Sequence, residues 1–184
     1  MPGSAFKSGE RVSLRPVEPE DDEFLRRHRN DPRLRKPLGE VGPHAAADVA
    51  EYREEVVRGD DGVTLLIRVD GDPVGLTFLF REDERRGVAE LGYWLAPDAW
   101  GNGYATEAAD LLCAHAFDER ALHRLTARVY EGNDASARVL EGLGFVEEGR
   151  LREDGVWGGE RRDTLRYGLL AREWRVGQGD AGTE

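Results

Sequence analysis

The feature that most constrains the fold is a strand, a glycine-containing loop and a helix that follow one another near mid-chain. Residues Val88–Leu95 are rich in strand-forming residues, and Trp100-Gly101-Asn102-Gly103 leads into a helix beginning at about Tyr104. A helix N-terminus presents unpaired N–H groups and roughly half a positive charge. Glycine there lets an anion approach the backbone with no Cβ in the way. The passage predicts either a phosphate site built from backbone amides or a tight turn that requires glycine.

The rest of the chain predicts a mixed α/β domain around this passage. Asp70-Gly71 between two β-rich runs is a strong hairpin signal. The alternation and helical spacing of apolar residues give the other elements. Strands are predicted at Arg11–Arg15, Val63–Val69, Pro73–Phe80, Val88–Leu95, His123–Tyr130, Gly144–Gly149 and Thr164–Leu170. Helices are predicted at Glu20–Arg29, Ala45–Arg58 (stopped by Gly59), from Tyr104 onward, and at Ala135–Gly142, with an irregular loop at Pro32–Pro43.

These elements indicate a hairpin-rich sheet in the first half of the chain and a strand–helix–strand crossover after it. The helix from Tyr104 carries an inward stripe of small and aliphatic residues at Ala105, Ala108 or Ala109, Leu112 and Ala116. A chain of 184 residues fits one domain. We expect that domain to span residues 1–176, followed by a disordered tail at 177–184.

Composition and charge exclude several classes of function. The formal net charge of −11 argues against a nucleic-acid partner and favours cationic ligands such as protonated amines. No apolar run approaches the ~20 residues of a membrane span, and no secretory signal is seen, so we expect a cytoplasmic protein without a membrane partner. The four histidines lack metal-ligand spacing, which predicts no metal. The single cysteine, Cys113, is typical of a small core residue.

Three phosphate-binding motifs compete for the glycine loop. A P-loop requires a lysine and a hydroxyl residue after its second glycine, where this chain has Tyr104 and Ala105. A dinucleotide-binding fingerprint would want glycine at Thr106 and an acidic residue ending a strand ~20 residues later. A dinucleotide-dependent oxidoreductase therefore survives only as a weaker alternative.

The third candidate depends on a resemblance. The string ELGYWLAPDAWGNGYATEA resembles the coenzyme A-binding passage of the GNAT superfamily of N-acetyltransferases. The family pattern is arginine or glutamine, any two residues, glycine, any one residue, then glycine or alanine. Gly103 and Ala105 match it, whereas Trp100 departs from it at the first position. That departure puts a side-chain contact in doubt rather than cofactor binding.

A second motif strengthens the resemblance. The segment Asn133–Phe145 is similar to the family's asparagine, two residues, serine, and a helix ending in Leu-Gly-Phe. The branch most similar is the RimJ/RimL-like one, which acetylates N-terminal amines of ribosomal proteins, and the likeness spans Arg11 to Trp174. It implies a mostly antiparallel central sheet with helices on both faces. Members of this branch often form homodimers, so we expect a homodimer.

The resemblance implies a site for acetyl-CoA and a primary amine. The cofactor-binding residues would be Leu95, Trp100, Gly101, Asn102, Gly103, Tyr104, Ala105, Thr106 and Asn133, with the Leu95 N–H polarising the thioester carbonyl. Ser136 would protonate the leaving sulfur, although it could instead serve only the start of its helix. Glu90 is the first choice of general base, against a cross-strand ion pair with Arg128.

The sequence leaves alternatives for both the acceptor amine and the general base. Glu153 and Asp154 are the alternative bases, or solvated turn residues. The acceptor pocket would come from Pro32–Pro43 and Gly149–Gly159, which lack a readable code. The acceptor amine is therefore a protein N-terminus or a small molecule such as an amino acid, polyamine or antibiotic. A non-catalytic acyl-CoA-binding module would share the same glycine loop.

Overall fold

The computed structural model describes residues 4–40, 42–58 and 62–180. The strands are β1 (Lys7–Ser8), β2 (Val12–Pro16), β3 (Val63–Val69), β4 (Asp72–Asp83), β5 (Val88–Leu95), β6 (Arg124–Tyr130), β7 (Val146–Trp157) and β8 (Glu160–Leu170). The α-helices are α1 (Asp22–Arg29), α2 (Pro32–Arg35), α3 (Ala46–Arg58), α4 (Tyr104–Ala114), α5 (Asp134–Gly142) and α6 (Ala171–Asp180). The predicted stop of α3 at Gly59 lies outside the described residues.

The described strands form one mixed sheet in the order β1-β2-β3-β4-β5-β6-β8-β7. Neighbouring strands are antiparallel except β5 and β6, which are parallel because α4 connects them as a crossover. The mostly antiparallel mixed sheet expected from the family resemblance is therefore confirmed.

Both faces of this sheet are buried, which explains the continuous apolar run of β3. Leu65 and Ile67 point into a core with α4 and α6, whereas Leu66 points into a second core with α1, α2 and α3. Successive side chains of a strand alternate between faces, so each face receives its own helical layer. The expected placement of helices on both faces is confirmed.

The crossover helix α4 is held against the sheet by its small residues. Ala108, Ala109 and Leu112 are fully buried, as the helical spacing predicts. Small side chains let the helix axis approach the strands closely, which places the start of α4 beside the end of β5. The helix closes in a π-turn at His115–Glu119, where the predicted stripe residue Ala116 is also buried.

Several predicted boundaries were wrong. β7 and β8 form a long hairpin closed by Gly158 and Gly159, both at positive φ, where the sequence predicted two short strands and a loop. Gly-Gly is a hairpin turn signal. The sequence pattern did not indicate the long hairpin, because β7 is exposed along nearly its whole length and shows no apolar alternation.

Two further predictions need correction. Pro32–Arg35 is a short helix within the predicted irregular loop, because Asp31 accepts a hydrogen bond from the Arg33 N–H as an N-cap and Pro32 fits a first helical position. The expected disorder from residue 177 is contradicted up to Asp180, because α6 continues to that residue. Trp174 and Gln178 both donate to Asp110 Oδ1 on α4, at 3.0 and 2.9 Å, and tie the helix down. Residues 181–184 lie outside the described residues.

Candidate active site

The site begins where strands β5 and β6 separate. Their parallel pairing covers only Val88 with Arg124, Ala89 with Leu125 and Glu90 with Thr126. Beyond Glu90, β5 continues against β4 as far as Leu95, while β6 continues against β8 as far as Tyr130. The two strands therefore leave a wedge-shaped gap in the sheet.

A cavity of about 240 Å³ lies at this gap. Its walls include Glu90–Tyr93 from β5, Ala127–Tyr130 from β6, and Asn133 and Ser136 from the start of α5. Phe78 and Phe80 of β4, Pro37, Leu38 and Asp154 complete much of the rim. The fold thus brings three of the predicted site residues, Glu90, Asn133 and Ser136, to one cavity.

Backbone groups at the end of β5 face the same gap. The Ala96 N–H donates to Val74 O on β4 at 2.8 Å. Because successive N–H groups of a strand point to opposite edges, the Leu95 N–H is directed away from β4, toward the side where β6 has diverged. The Leu95 carbonyl on that side accepts a hydrogen bond from the Trp100 indole at 2.8 Å.

The loop before α4 keeps its amides open. Gly101 and Gly103 have φ of 77° and 79°, a left-handed conformation that favours glycine. The N–H groups of residues 101–103 donate to no described residue, and the first intrahelical bond runs from the Glu107 N–H to Gly103 O at 3.2 Å. The first-turn amides of residues 104–106 likewise have no intrahelical acceptor. Residues 101–103 are exposed, so an anion can reach this row of donors.

Side chains in the loop serve a different purpose from its backbone. Asn102 donates through its amide to Ala99 O and Trp100 O, at 3.2 and 3.0 Å, and so braces the loop. Tyr104 is partly buried against the α4 core. Ala105 and Thr106 are partly buried as well, and their small size keeps the first turn clear. The two glycines leave the open side of this row of amides free of Cβ atoms.

Asn133 and Ser136 form the start of α5 in the cavity wall. Asn133 is the N-cap, and its Oδ1 accepts the Ser136 N–H at 3.3 Å. The Ser136 carbonyl accepts the Tyr93 hydroxyl at 3.2 Å, and burial raises the pKa of Tyr93. The Ser136 hydroxyl makes no hydrogen bond to any described residue, which leaves it available to a ligand.

Comparison with known proteins identifies the family. The family model described as "Acetyltransferase (GNAT) domain" matches residues 11–146. The chain belongs to the GNAT acetyltransferases. It is 33% identical over 177 residues to the candidate ribosomal N-acetyltransferase YdaF of Bacillus subtilis (strain 168), covering 91% of this chain and 96% of that protein.

Solved structures agree with this assignment. RimJ of Mycobacterium smegmatis, in complex with CoA-disulfide, superposes with a TM-score of 0.80 at 28% identity, covering 91% of this chain and 89% of that one. Spermidine N-acetyltransferase from Vibrio cholerae, in complex with CoA and spermine, superposes with a TM-score of 0.84, covering 91% of this chain and 99% of that one. At 21% identity, the latter likeness is one of fold.

In this GNAT acetyltransferase, Glu90 is ion-paired on both carboxylate oxygens. Arg128 Nε lies 2.5 Å from Oε1, and Arg81 Nη1 lies 3.1 Å from Oε2. The Glu90 side chain is only 6% exposed. The ion pair with Arg128, which the sequence offered as the alternative to a base, is therefore present.

The two alternative bases occupy different positions. Asp154 lines the cavity and has no ion-pair partner among the described residues. Glu153 has φ of 52°, and its backbone N–H donates to Asp163 Oδ1 at 2.9 Å. The hairpin bulge around these residues thus presents Asp154, rather than Glu153, to the cavity.

Sequence reasoning missed the aromatic lining of the GNAT cavity. Phe78, Phe80, Tyr93 and Tyr130 all face it, and their ring type on alternating strand positions was the available signal. Trp94, by contrast, faces the other side of the sheet and stacks on Phe24 in the second core, with ring centroids 5.9 Å apart.

Among the described residues, no group of three or more His, Cys, Asp or Glu side chains is placed to hold a metal ion. Within the same ranges, no helix has the length and apolar character needed to cross a membrane.

Proposed function

We propose that this enzyme transfers the acetyl group of acetyl-CoA to the α-amine of a protein N-terminus. The main supporting observation is the cavity at the β5–β6 gap, where an unengaged serine hydroxyl and an unpaired carboxylate lie beside β5, the strand that leads into the open amide row. YdaF and RimJ, which are similar along most of their length, support this branch of the family. The net charge of −11 favours the approach of a protonated amine.

Each step of cofactor binding and acetyl transfer would be carried out by particular residues of this chain. The amides of residues 101–106 would hold the pyrophosphate of acetyl-CoA, and Asn133 would line the path of its arm. When bound, acetyl-CoA supplies a thioester that is attacked at its carbonyl carbon and loses its sulfur as a thiolate. The Leu95 N–H would donate to the oxygen on which charge develops, as in an oxyanion hole. The Ser136 hydroxyl would deliver a proton to the departing sulfur.

The amine must lose a proton, and we assign that task to Asp154, directly or through water. A free α-amine has a pKa of ~8, so only a fraction is neutral at pH 7. Glu90 remains a second candidate, but its oxygens already accept from Arg128 and Arg81. We therefore propose that the main role of Glu90 is structural, and that its ion pair with Arg128 holds β5 and β6 together at the edge of the gap.

Charge in the cavity favours a single amine over a polyamine. Among the described residues that line it, Glu90 is paired with guanidinium groups, and Asp154 is the one carboxylate without an ion-pair partner that could face a cation. A polyamine carries several positive charges and would need several free carboxylates. Aromatic walls at Phe78, Phe80 and Tyr130 instead suit a single amine on an apolar body.

The test is release of free CoA thiol from acetyl-CoA against a panel of acceptors. The panel contains peptides with free N-termini, the same peptides with blocked N-termini, spermidine, and small amines including amino acids. Turnover with free but not blocked peptides is expected. Turnover confined to spermidine or small amines would replace the proposed acceptor, and binding of CoA without any turnover would favour the non-catalytic module.

The base assignment has a matched pair of variants. Asp154→Asn should reduce kcat by ~10²-fold or more, most strongly at low pH, because general-base catalysis typically contributes this much. Glu153→Gln removes the same charge from the adjacent residue, which does not line the cavity, and should leave kcat unchanged. If the two variants behave alike, Asp154 is not the base. The cytoplasmic location and the homodimer stay predictions.

A further inference from the structure

Arg11, just before β2, contacts the loop at residues 100–103 from a distant part of the sequence. Its Nη1 donates to Asn102 O at 2.9 Å, and its Nε donates to Glu107 Oε2 at 3.2 Å. The guanidinium also lies over the Tyr104 ring, 5.3 Å from the centroid. No other described basic side chain bonds to residues 101–103.

The contact to Asn102 O determines where an amide points. In a trans peptide, the carbonyl and the following N–H point in opposite directions. Because Arg11 holds the Asn102 carbonyl on its own side, the Gly103 N–H is directed away from Arg11. Gly103 has φ of 79°, and glycine allows its backbone many other conformations. The orientation of the Asn102–Gly103 peptide therefore depends on a restraint from outside the loop.

Glu107 holds Arg11 in position. Its Oε1 accepts the backbone N–H groups of Arg11 and Val12, at 2.8 and 3.0 Å, while Oε2 accepts the guanidinium. The carboxylate is packed so closely that a Cβ on Gly9 would lie 2.5 Å from Oε1. The first turn of α4 is thereby joined to the start of β2.

We propose that Arg11, held by Glu107, is a positioning residue that presents the Gly103 N–H to the coenzyme A pyrophosphate. This inference rests on the proposed use of the loop by acetyl-CoA. Trp100 stands where the family motif has arginine or glutamine, and the basic side chain that contacts this loop comes instead from Arg11, just before β2.

The experiment measures binding of CoA and of pantetheine, the same thiol arm without phosphates, by calorimetry. Arg11→Ala should weaken CoA binding about 10-fold or more, since a hydrogen bond to a charged group accounts for roughly that factor. Pantetheine binding should not change. Arg26→Ala is the matched control, because Arg26 is a similarly exposed arginine paired with Glu23 on α1 across the sheet.

Two conservative variants separate positioning from charge and folding. Arg11→Lys keeps the charge but replaces the Nε and Nη1 donors, which reach Glu107 and Asn102 O separately, with a single nitrogen, so it should recover only part of the affinity. Glu107→Gln keeps the acceptor for the backbone amides but loses the ion pair, and should also weaken CoA more than pantetheine. Melting temperatures measured alongside identify any variant that unfolds.

Some results would overturn the inference. Unchanged CoA affinity in Arg11→Ala would do so, as would an equal loss for pantetheine, which would indicate general damage. Full recovery of CoA affinity in Arg11→Lys, or an equal loss of CoA affinity in Arg26→Ala, would show that only the net charge of the protein matters. Failure of the unaltered enzyme to bind CoA would instead remove the proposed function, so the two failures are distinguishable.

Discussion

Replacing Ser136 by alanine separates a catalytic hydroxyl from a structural one. The hydroxyl lines the cavity and bonds to no described residue, so its removal breaks no observed contact. The backbone bonds survive, because Asn133 Oδ1 takes the residue 136 N–H and Tyr93 donates to the residue 136 carbonyl. Alanine is also slightly more favourable than serine in a helix, by a few tenths of a kcal/mol, about 0.5 at most.

We therefore expect the free energy of unfolding of Ser136→Ala to stay within about 0.5 kcal/mol of the unaltered enzyme. For a chain of this size, that is a melting-temperature shift of at most ~2 °C. Acetyl-CoA affinity should also be unchanged. By contrast, kcat should fall by ~10²–10⁴-fold if the hydroxyl protonates the departing sulfur.

The assay is steady-state thiol release with the best acceptor from the panel, together with calorimetric binding and thermal melting. Asn133→Ala is the structural comparison. It removes the N-cap of α5 and should cost ~0.5–2 kcal/mol of stability, with a visible drop in melting temperature. The reasoning is refuted if Ser136→Ala retains full kcat, or if its kcat falls only in step with its melting temperature.

Three further predictions follow from individual contacts. Burial alone would raise the pKa of Glu107, but hydrogen bonds from the Arg11 and Val12 N–H groups and the Arg11 guanidinium hold it below its usual value. The ionised carboxylate therefore stabilises the fold above its unfolded pKa of ~4.3, and this contribution is lost as pH falls through the lower folded value. The melting temperature should thus fall less steeply with acidification below pH ~4.5 in Glu107→Gln; parallel curves would contradict this. Cys113 is fully buried and burial raises its pKa, so a thiol reagent should titrate no cysteine in the native protein and one after denaturation; rapid native labelling would show that the core opens. Gly101→Ala should cost ~1 kcal/mol from left-handed strain alone, since nothing lies within 4 Å of the added Cβ, and an unchanged melting temperature would contradict that conformation.

Local patterns were sufficient for the elements that surround the loop at residues 100–103. The glycines at 101 and 103, the strand before them and the alanine-rich stripe after them each have a local physical cause, and the structure retains all three. The aliphatic run of β3 and the Asp-Gly turn likewise predicted the β3–β4 hairpin. The capping of α5 by Asn133 is also local, because its side chain accepts the N–H of Ser136, three residues later.

The long β7–β8 hairpin shows where local patterns were insufficient. β7 is exposed on both faces, so no apolar period-two signal marks it, and its register depends on pairing with β8. The same pairing places Asp154 in the cavity and directs the backbone N–H of Glu153 to Asp163 Oδ1. Neighbouring acidic residues of the same character could not be told apart until their strand was paired.

What the sequence by itself determined is the set of local conformations: the open amide row, the strand before it and the capped helix of Asn133 and Ser136. Only the tertiary structure decided which distant groups meet there. It paired Glu90 with Arg128 and Arg81, and it brought Arg11 across the sheet to the Asn102 carbonyl. Backbone dihedrals and caps are set by near neighbours, whereas ion pairs and cavity walls depend on strand order and register, which local propensities do not encode.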